Sequence, residues 1–242
     1  MVNEKLFWTK TLIKEIKLMS IIAIDGPVGS GKSTVARKLA KKAGFAYLDT
    51  GAMYRAIGWK AYITKINLTN EELDRLCAGT QLDMELENEH LKVMIDGKDV
   101  SAEIRTPEMS RMASVVSAVA SVRIHLVRMQ REVGQSWAKR YGGVVIEGRD
   151  IGTVVFPDTP FKFYLDADIK ERGKRRWQEL QNKGINVSLD ETISEVIKRD
   201  EKDQGREIDP LKKADDAMLV DTTGLSIEEV VDMILTKIRS TQ

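Results

Sequence analysis

Nine consecutive residues, Gly26, Pro27, Val28, Gly29, Ser30, Gly31, Lys32, Ser33 and Thr34, place glycines, one ammonium and hydroxyls directly behind the apolar run Ile21, Ile22, Ala23 and Ile24. The spacing Gly-x4-Gly-Lys-Ser suits phosphate. The glycines let the backbone wrap and turn its N–H groups onto phosphate oxygens, Lys32 reaches the β- and γ-phosphates, and the Ser33 hydroxyl binds Mg²⁺. A strand before the run and a helix after it complete the pattern, so a nucleoside triphosphate is expected, ATP with Mg²⁺ in the simplest case. The acceptor is left open. The Asn-Lys-x-Asp loop by which switch GTPases read their base is absent, and a motor needs more chain or an arginine from a neighbour. A small-molecule kinase and an NTP-driven binding module both remain.

Further charged residues fall where a second substrate could meet them. Asp49, Thr50, Tyr54 and Arg55 follow the second strand candidate, and Glu147, Arg149 and Asp150 follow the third. In a parallel sheet the loops at strand C-termini converge on the ligand crevice, so Tyr54 and Arg55 are expected to face the phosphate site. Asp158 sits in a Pro-flanked turn just beyond. Arg172, Arg175 and Arg176 stand at i, i+3 and i+4 of one helix and share a face. Arg199, Asp203 and Arg206 are similarly spaced near the end of the next. Phosphoryl transfer calls for such cations, because charge spreads over the transferring group. Asp25 is expected to orient the phosphate loop, His90 and His125 to be structural, Met109 and Met112 to fill core or hinge, and the lone Cys77 to act as a small buried hydrophobe.

Short apolar strands alternate with long helical segments, which predicts an α/β fold: a P-loop-type parallel sheet wrapped by helices. Strands are expected at 20–24, 45–48, 144–146, 161–165 and 218–220, the first, third and fourth apolar enough to be buried on both faces. Residues 33–43 read as a helix stopped by Gly44. Ser188 with Glu191, and Ser226 with Glu229, form capping boxes at later helix starts. Between 82 and 100 the period changes to two, with turns at Asn88-Glu89 and Asp96-Gly97, which predicts a small antiparallel sheet. It lies between a helix at 69–79 capped by Thr69 or Asn70 and a helical region at 107–140. An inserted subdomain at 61–119 is therefore expected within a core of 19–60, 120–168 and 187–242. Residues 1–18 lack a signal-peptide pattern and read as a dispensable extension, with Met19 a natural start. The 242 residues carry a net charge of +1, so no global field favours nucleic acid or an anionic membrane. No apolar run approaches the roughly 18 residues that a spanning helix needs. A single cysteine suits a reducing cytoplasm, and nothing in the sequence demands more than a monomer.

The set "IDGPVGSGKST", "LDTGAMYRAI", "IRTPEMSRMASVVSAVASVR", "EGRDIGTVVFPD" and "KRDEKDQGREIDPL" resembles the bacterial cytidylate kinases, in unbroken order from Ser20 to the C-terminus. The resemblance implies a core sheet, a CMP-binding subdomain enlarged by a three-stranded sheet, a short arginine-bearing helical lid at 169–186, and transfer from ATP to CMP or dCMP. It implies that Arg55 and Arg149 hold the CMP phosphate beside Tyr54. Ser114, Arg123 and Asp150 would read cytosine, and Arg199 and Asp203 would contact the sugar. Arg206 would be a further active-site arginine, and Arg172, Arg175 and Arg176 would close over the ATP phosphates. Thr50 stands where some relatives have serine, and Glu147, the candidate for a water-mediated contact to Mg²⁺, where some have aspartate. UMP or AMP as acceptor, and a regulatory ATP-binding protein without transferase activity, are the alternatives.

Overall fold

A computed structural model describes residues 20–87 and 90–240. The extension at 1–18 and the turn at Asn88-Glu89 lie outside the described residues. Five parallel strands form the main sheet: β1 (Ser20–Asp25), β2 (Ala46–Asp49), β6 (Gly143–Gly148), β7 (Phe161–Asp166) and β8 (Met218–Asp221), in the order β2-β6-β1-β7-β8. All five sequence-derived strands are present. β1 is central, paired with β6 on one side (Ile22 opposite Val145) and β7 on the other (Ile22 opposite Phe161).

Successive strand residues face opposite sides of the sheet, so the sheet separates two cores. Ile22, Ile24, Val145, Phe163 and Leu165 pack with α1 (Lys32–Ala43) and α8 (Ile227–Ser240). Ala23, Leu48, Val144 and Ile146 face the other way, toward α2 (Thr50–Thr64) and α5 (Ala120–Tyr141). α1 ends at Gly44, whose φ of 68° is the left-handed turn expected there.

The inserted elements join this second core. α3 (Asn70–Ala78) is capped by Thr69, whose hydroxyl accepts from Glu72 N–H. The sheet of β3 (Leu82–Glu87), β4 (His90–Ile95) and β5 (Lys98–Asp99) is antiparallel. Its second turn has Asp96 and Gly97 both at positive φ, the geometry a two-residue hairpin requires. A single 3₁₀ turn (Glu103–Arg105) leads to α4 (Pro107–Val116), and α4 meets α5 at a bend of 105°. The expected helical region at 107–140 is thus two helices with an elbow at 117–119. The expected subdomain boundary at Ala61 falls inside α2, which runs unbroken from the cleft into the insert. On the other side of the molecule, α6 (Ile169–Asn182) and α7 (Leu189–Gln204) pack as a pair, α7 opening with the Ser188–Glu191 capping box. Among the described residues no single helix is long and apolar enough to cross a membrane.

α2 and α4 cross closely at Gly58, where a Cβ would meet Met112 Cβ at 2.9 Å and Met112 backbone carbon at 3.2 Å. Overpacking such a contact costs about 1–3 kcal/mol. Gly58→Val should therefore lower the unfolding free energy by that amount, with a lower urea midpoint. An unchanged midpoint would mean that the helices separate freely.

Candidate active site

Charged side chains from α1, α2, α5, α6, α7 and the end of β6 line one cleft of about 590 Å³. Its lining includes Lys32 and Ser33 from α1, Thr50, Tyr54 and Arg55 from α2, and Ser114 from α4. Arg123 comes from α5, Glu147, Arg149 and Asp150 from the end of β6, Arg176 from α6, and Arg199, Asp203 and Arg206 from α7 and just beyond. Ten lysines and arginines line it against five carboxylates.

The loop between β1 and α1 wraps as its composition demands. Gly29 and Gly31 adopt φ of 74° and 85°, where a side chain is strained. Space is also closed to a larger residue at Gly29, whose Cβ would lie 2.5 Å from Arg172 backbone oxygen. Among the described residues, the N–H groups of Gly29, Ser30 and Gly31 donate to no protein acceptor. Lys32, 7% exposed, folds back to donate to Pro27 O at 2.9 Å. Burial and then the Arg149 guanidinium push its pKa down to about 7, with Glu147 opposing. Thr34 is exposed on α1 and does not line the cleft.

Beside this cradle, Glu147 accepts from Ser33 Oγ at 2.7 Å and from the Tyr47 hydroxyl. Burial, then the nearby Asp49, holds the Glu147 carboxyl above its ordinary range. Hydroxyl and carboxylate make an all-oxygen pair, the donor chemistry that a hard divalent cation takes, so the residues present fit Mg²⁺. Among the described residues there is no cluster of three or more His, Cys, Asp or Glu that could hold a metal ion. Thr50 Oγ1 donates to Glu147 O at 2.8 Å.

The arginines are pinned by carboxylates. Arg55 pairs with Asp49 at 2.7 Å and Arg149 with Asp203 at 2.9 Å. Arg123, 1% exposed, donates to Asp150, to Asp209 Oδ2 at 2.8 Å and to Ser117 O at 3.3 Å. Its guanidinium also lies 5.7 Å from the Tyr54 ring centre, a cation–π distance. Burial raises the Asp150 pKa, with Arg123 opposing. Arg55 Nε, Arg199 Nε and Arg206 Nη2 are buried without a hydrogen-bond partner. Burial, and then Arg149, push the Arg199 pKa down to about 10. Unmet donors and mutually repelling cations are what a site for anions looks like before the anion arrives.

Several expectations need correction. Arg172, expected over the transferring phosphate, is 9% exposed and tied to Asp200, Val28 O and Ala167 O, on the far side of the phosphate loop. Arg175 donates to Thr222 O at 2.8 Å and Oγ1 at 2.9 Å and does not line the cleft. The helix face they share runs past the loop, and only Arg176, at the next turn, reaches the cleft. Asp25 does not orient the phosphate loop; it accepts from Ile151 N–H at 2.9 Å and Gly152 N–H at 2.8 Å and so anchors the turn after Asp150. That turn is one turn of π-helix, Ile151–Val155, a form that recurs at functional sites. Asp158 lies at the opposite edge of the sheet, with Ser20 and Phe161. His90 stands on the cleft rim, while Cys77 is buried and its thiol pushed up to about 11 by that burial. Spacing alone missed Asp200, although it was signalled. It follows Thr192 and Val196 on the buried stripe of α7, where a carboxylate needs a partner.

A phosphate cradle at the end of a central parallel strand, opening onto an arginine-lined bay walled by an inserted subdomain, defines a P-loop phosphotransferase with a phosphate-bearing acceptor. The sequence model of the cytidylate kinase family matches residues 22–240. Cytidylate kinase of Geobacter sulfurreducens is 49% identical over 220 residues, covering 90% of this chain and 92% of its own. Cytidylate kinases of Desulfitobacterium hafniense and Carboxydothermus hydrogenoformans are each 50% identical, covering 88% of this chain and 90% and 95% of their own. The chain belongs to the cytidylate kinase family.

Burial pushes the Asp25 carboxyl from 3.8 up to about 7, Gly152 and Ile151 N–H groups opposing and Asp150 adding. Because the folded value exceeds the unfolded one, the folded state binds the extra proton between them. The stabilisation is full below about pH 4 and is lost as pH rises through 7. At about 1.4 kcal/mol per pKa unit, the wild type should lose several kcal/mol relative to Asp25→Asn across that window in urea unfolding. A constant difference between the two proteins would contradict the assignment.

Proposed function

We propose that the protein transfers the γ-phosphoryl group of ATP directly to CMP and dCMP, ATP + CMP → ADP + CDP, with no phospho-enzyme. The single observation that carries this reading is the excess of cations in a cleft that holds both the glycine-rich loop with Lys32 and the buried Arg123–Asp150 pair. A phosphate oxygen of CMP attacks the γ-phosphorus in line, the bond to the β,γ-bridging oxygen breaks, and ADP leaves. The acceptor oxygen is already ionised, so no general base is needed, and acceleration comes from positioning and charge neutralisation.

In this reading Lys32 and the loop amides hold the donor phosphates, and Arg55 and Arg149 hold the CMP phosphate. Arg199 and Asp203 contact the sugar, while Arg206 and Arg176 supply charge to the transferring group. Ser33 and Glu147 would hold Mg²⁺, which when bound offsets charge on the β- and γ-phosphates. In this reading the protein acts as a monomer, in the cytoplasm where its nucleotide substrates are.

Asp150 and Arg123 set the base. Cytosine offers an amino donor at position 4 and acceptors at N3 and O2, which match a carboxylate and a guanidinium. Uracil reverses the first two and would leave buried polar groups unpaired, on the order of a 10³- to 10⁴-fold loss in kcat/KM. A coupled ADP-release assay with CMP, dCMP, UMP and AMP tests the assignment directly, and faster turnover of UMP or AMP would refute it. Asp150→Ala should damage CMP phosphorylation severely and change UMP phosphorylation little. If both fall equally, Asp150 only shapes its loop.

A further inference from the structure

The phosphate loop is gripped from the side opposite the cleft. Val28 N–H donates to Asp200 Oδ1 at 3.2 Å, and Val28 C=O accepts from Arg172 Nη1 at 3.1 Å. Both backbone groups of one loop residue are thus taken by one ion pair, since Arg172 Nη1 also bonds Asp200 Oδ2. The pair is buried on both sides, Asp200 being 7% exposed. Arg172 belongs to α6, whose first turn presses on Gly29, and its Nε is held by Ala167 O at 3.0 Å. Asp200 belongs to α7. Loop apex, lid helix and α7 therefore meet at one point.

Val28 is the pivot of the loop. Its own N–H and C=O point outward to the ion pair, while the next three residues keep their N–H groups free of protein acceptors among the described residues. Turning the Val28 peptides would re-aim the amides that follow it. We propose that Asp200 is a positioning residue for the phosphate donor. Through Val28 it sets the direction of the loop amides, and through Arg172 it ties that direction to the seat of the lid helix. The inference rests on the loop being the donor site, as argued above. It also gives Arg172 a role, as the brace of the loop rather than a contact to the transferring group.

Asp200→Asn tests it with little change of shape. Asparagine has one acceptor oxygen, so its NH₂ must face either Val28 N–H or the Arg172 fork, donor against donor. Calorimetric titration of the full chain with ADP and Mg²⁺ alone, and with CMP alone, separates the two sites. The expected result is an ADP Kd about tenfold weaker, or about 1.4 kcal/mol, with CMP affinity within about twofold. Arg172→Lys keeps the charge but loses the fork that reaches Val28 O and Asp200 together, so it should weaken ADP in the same selective way. A residue that merely held α7 in place would disturb Arg199 and Asp203 on the same helix and weaken CMP as much as ADP. Parallel losses, or unchanged ADP affinity, would overturn the inference; if Asp200→Asn does not fold, Arg172→Lys decides by the same rule. Lys32→Ala separates the premise from the proposal. Undiminished ADP binding there would overturn the donor-site reading itself, whereas loss there with none in Asp200→Asn would overturn this inference alone.

Discussion

Ten cationic side chains and five carboxylates crowd one cleft of a chain whose formal net charge is only +1. Holding like charges together is the constraint on which the surrounding structure depends. Unpaired guanidinium groups at this density would repel one another and swing into solvent. Three are therefore fixed by carboxylates that stop short of neutralising the cleft: Arg55 by Asp49, Arg149 by Asp203, Arg123 by Asp150 and Asp209. Burial first, and then repulsion from Arg149, lower the proton affinities of Lys32 and Arg199. Bound phosphates would offset this excess of positive charge.

Such an arrangement needs a scaffold that does not yield, and the parallel sheet provides one. Its central strands are buried on both faces, so their C-terminal ends cannot shift without opening one core or the other. Each end carries a functional group or its support: Asp25 on β1, Asp49 on β2, Glu147 on β6. Asp25 is spent entirely on structure, holding Ile151 and Gly152 so that Asp150 meets Arg123. Tyr47, one strand over, braces Glu147 against Ser33. The chemistry is thus suspended from strand ends by a second layer of hydrogen bonds.

Much of this was legible in the sequence. The strands and α1 announce themselves by apolar runs and the Gly44 stop, the hairpin by its period of two, and the cradle by glycines at fixed spacing. Spacing places residues on a common helix face but says nothing of how far along the helix the cleft lies. Arg172 and Arg176 share such a face, yet one sits beneath the phosphate loop and the other reaches the cleft. Proximity to a motif misled in the same way for Asp25, which touches the loop after β6 because that strand is its neighbour in the sheet and not in the chain. The 105° elbow between α4 and α5 is invisible to periodicity, because both helices carry apolar residues through the turn.

The two cores give the molecule a division that its single sheet conceals. One holds α1 and α8 beneath the phosphate cradle; the other holds α2, α5 and the whole insert beneath the acceptor bay. α2 runs from cleft to insert as a continuous rod, with Arg55 near one end and the Gly58 crossing beyond it. In terms of descent, such a chain can change the nucleotide it accepts by drift confined to one layer, while the layer that grips the triphosphate stays as it was.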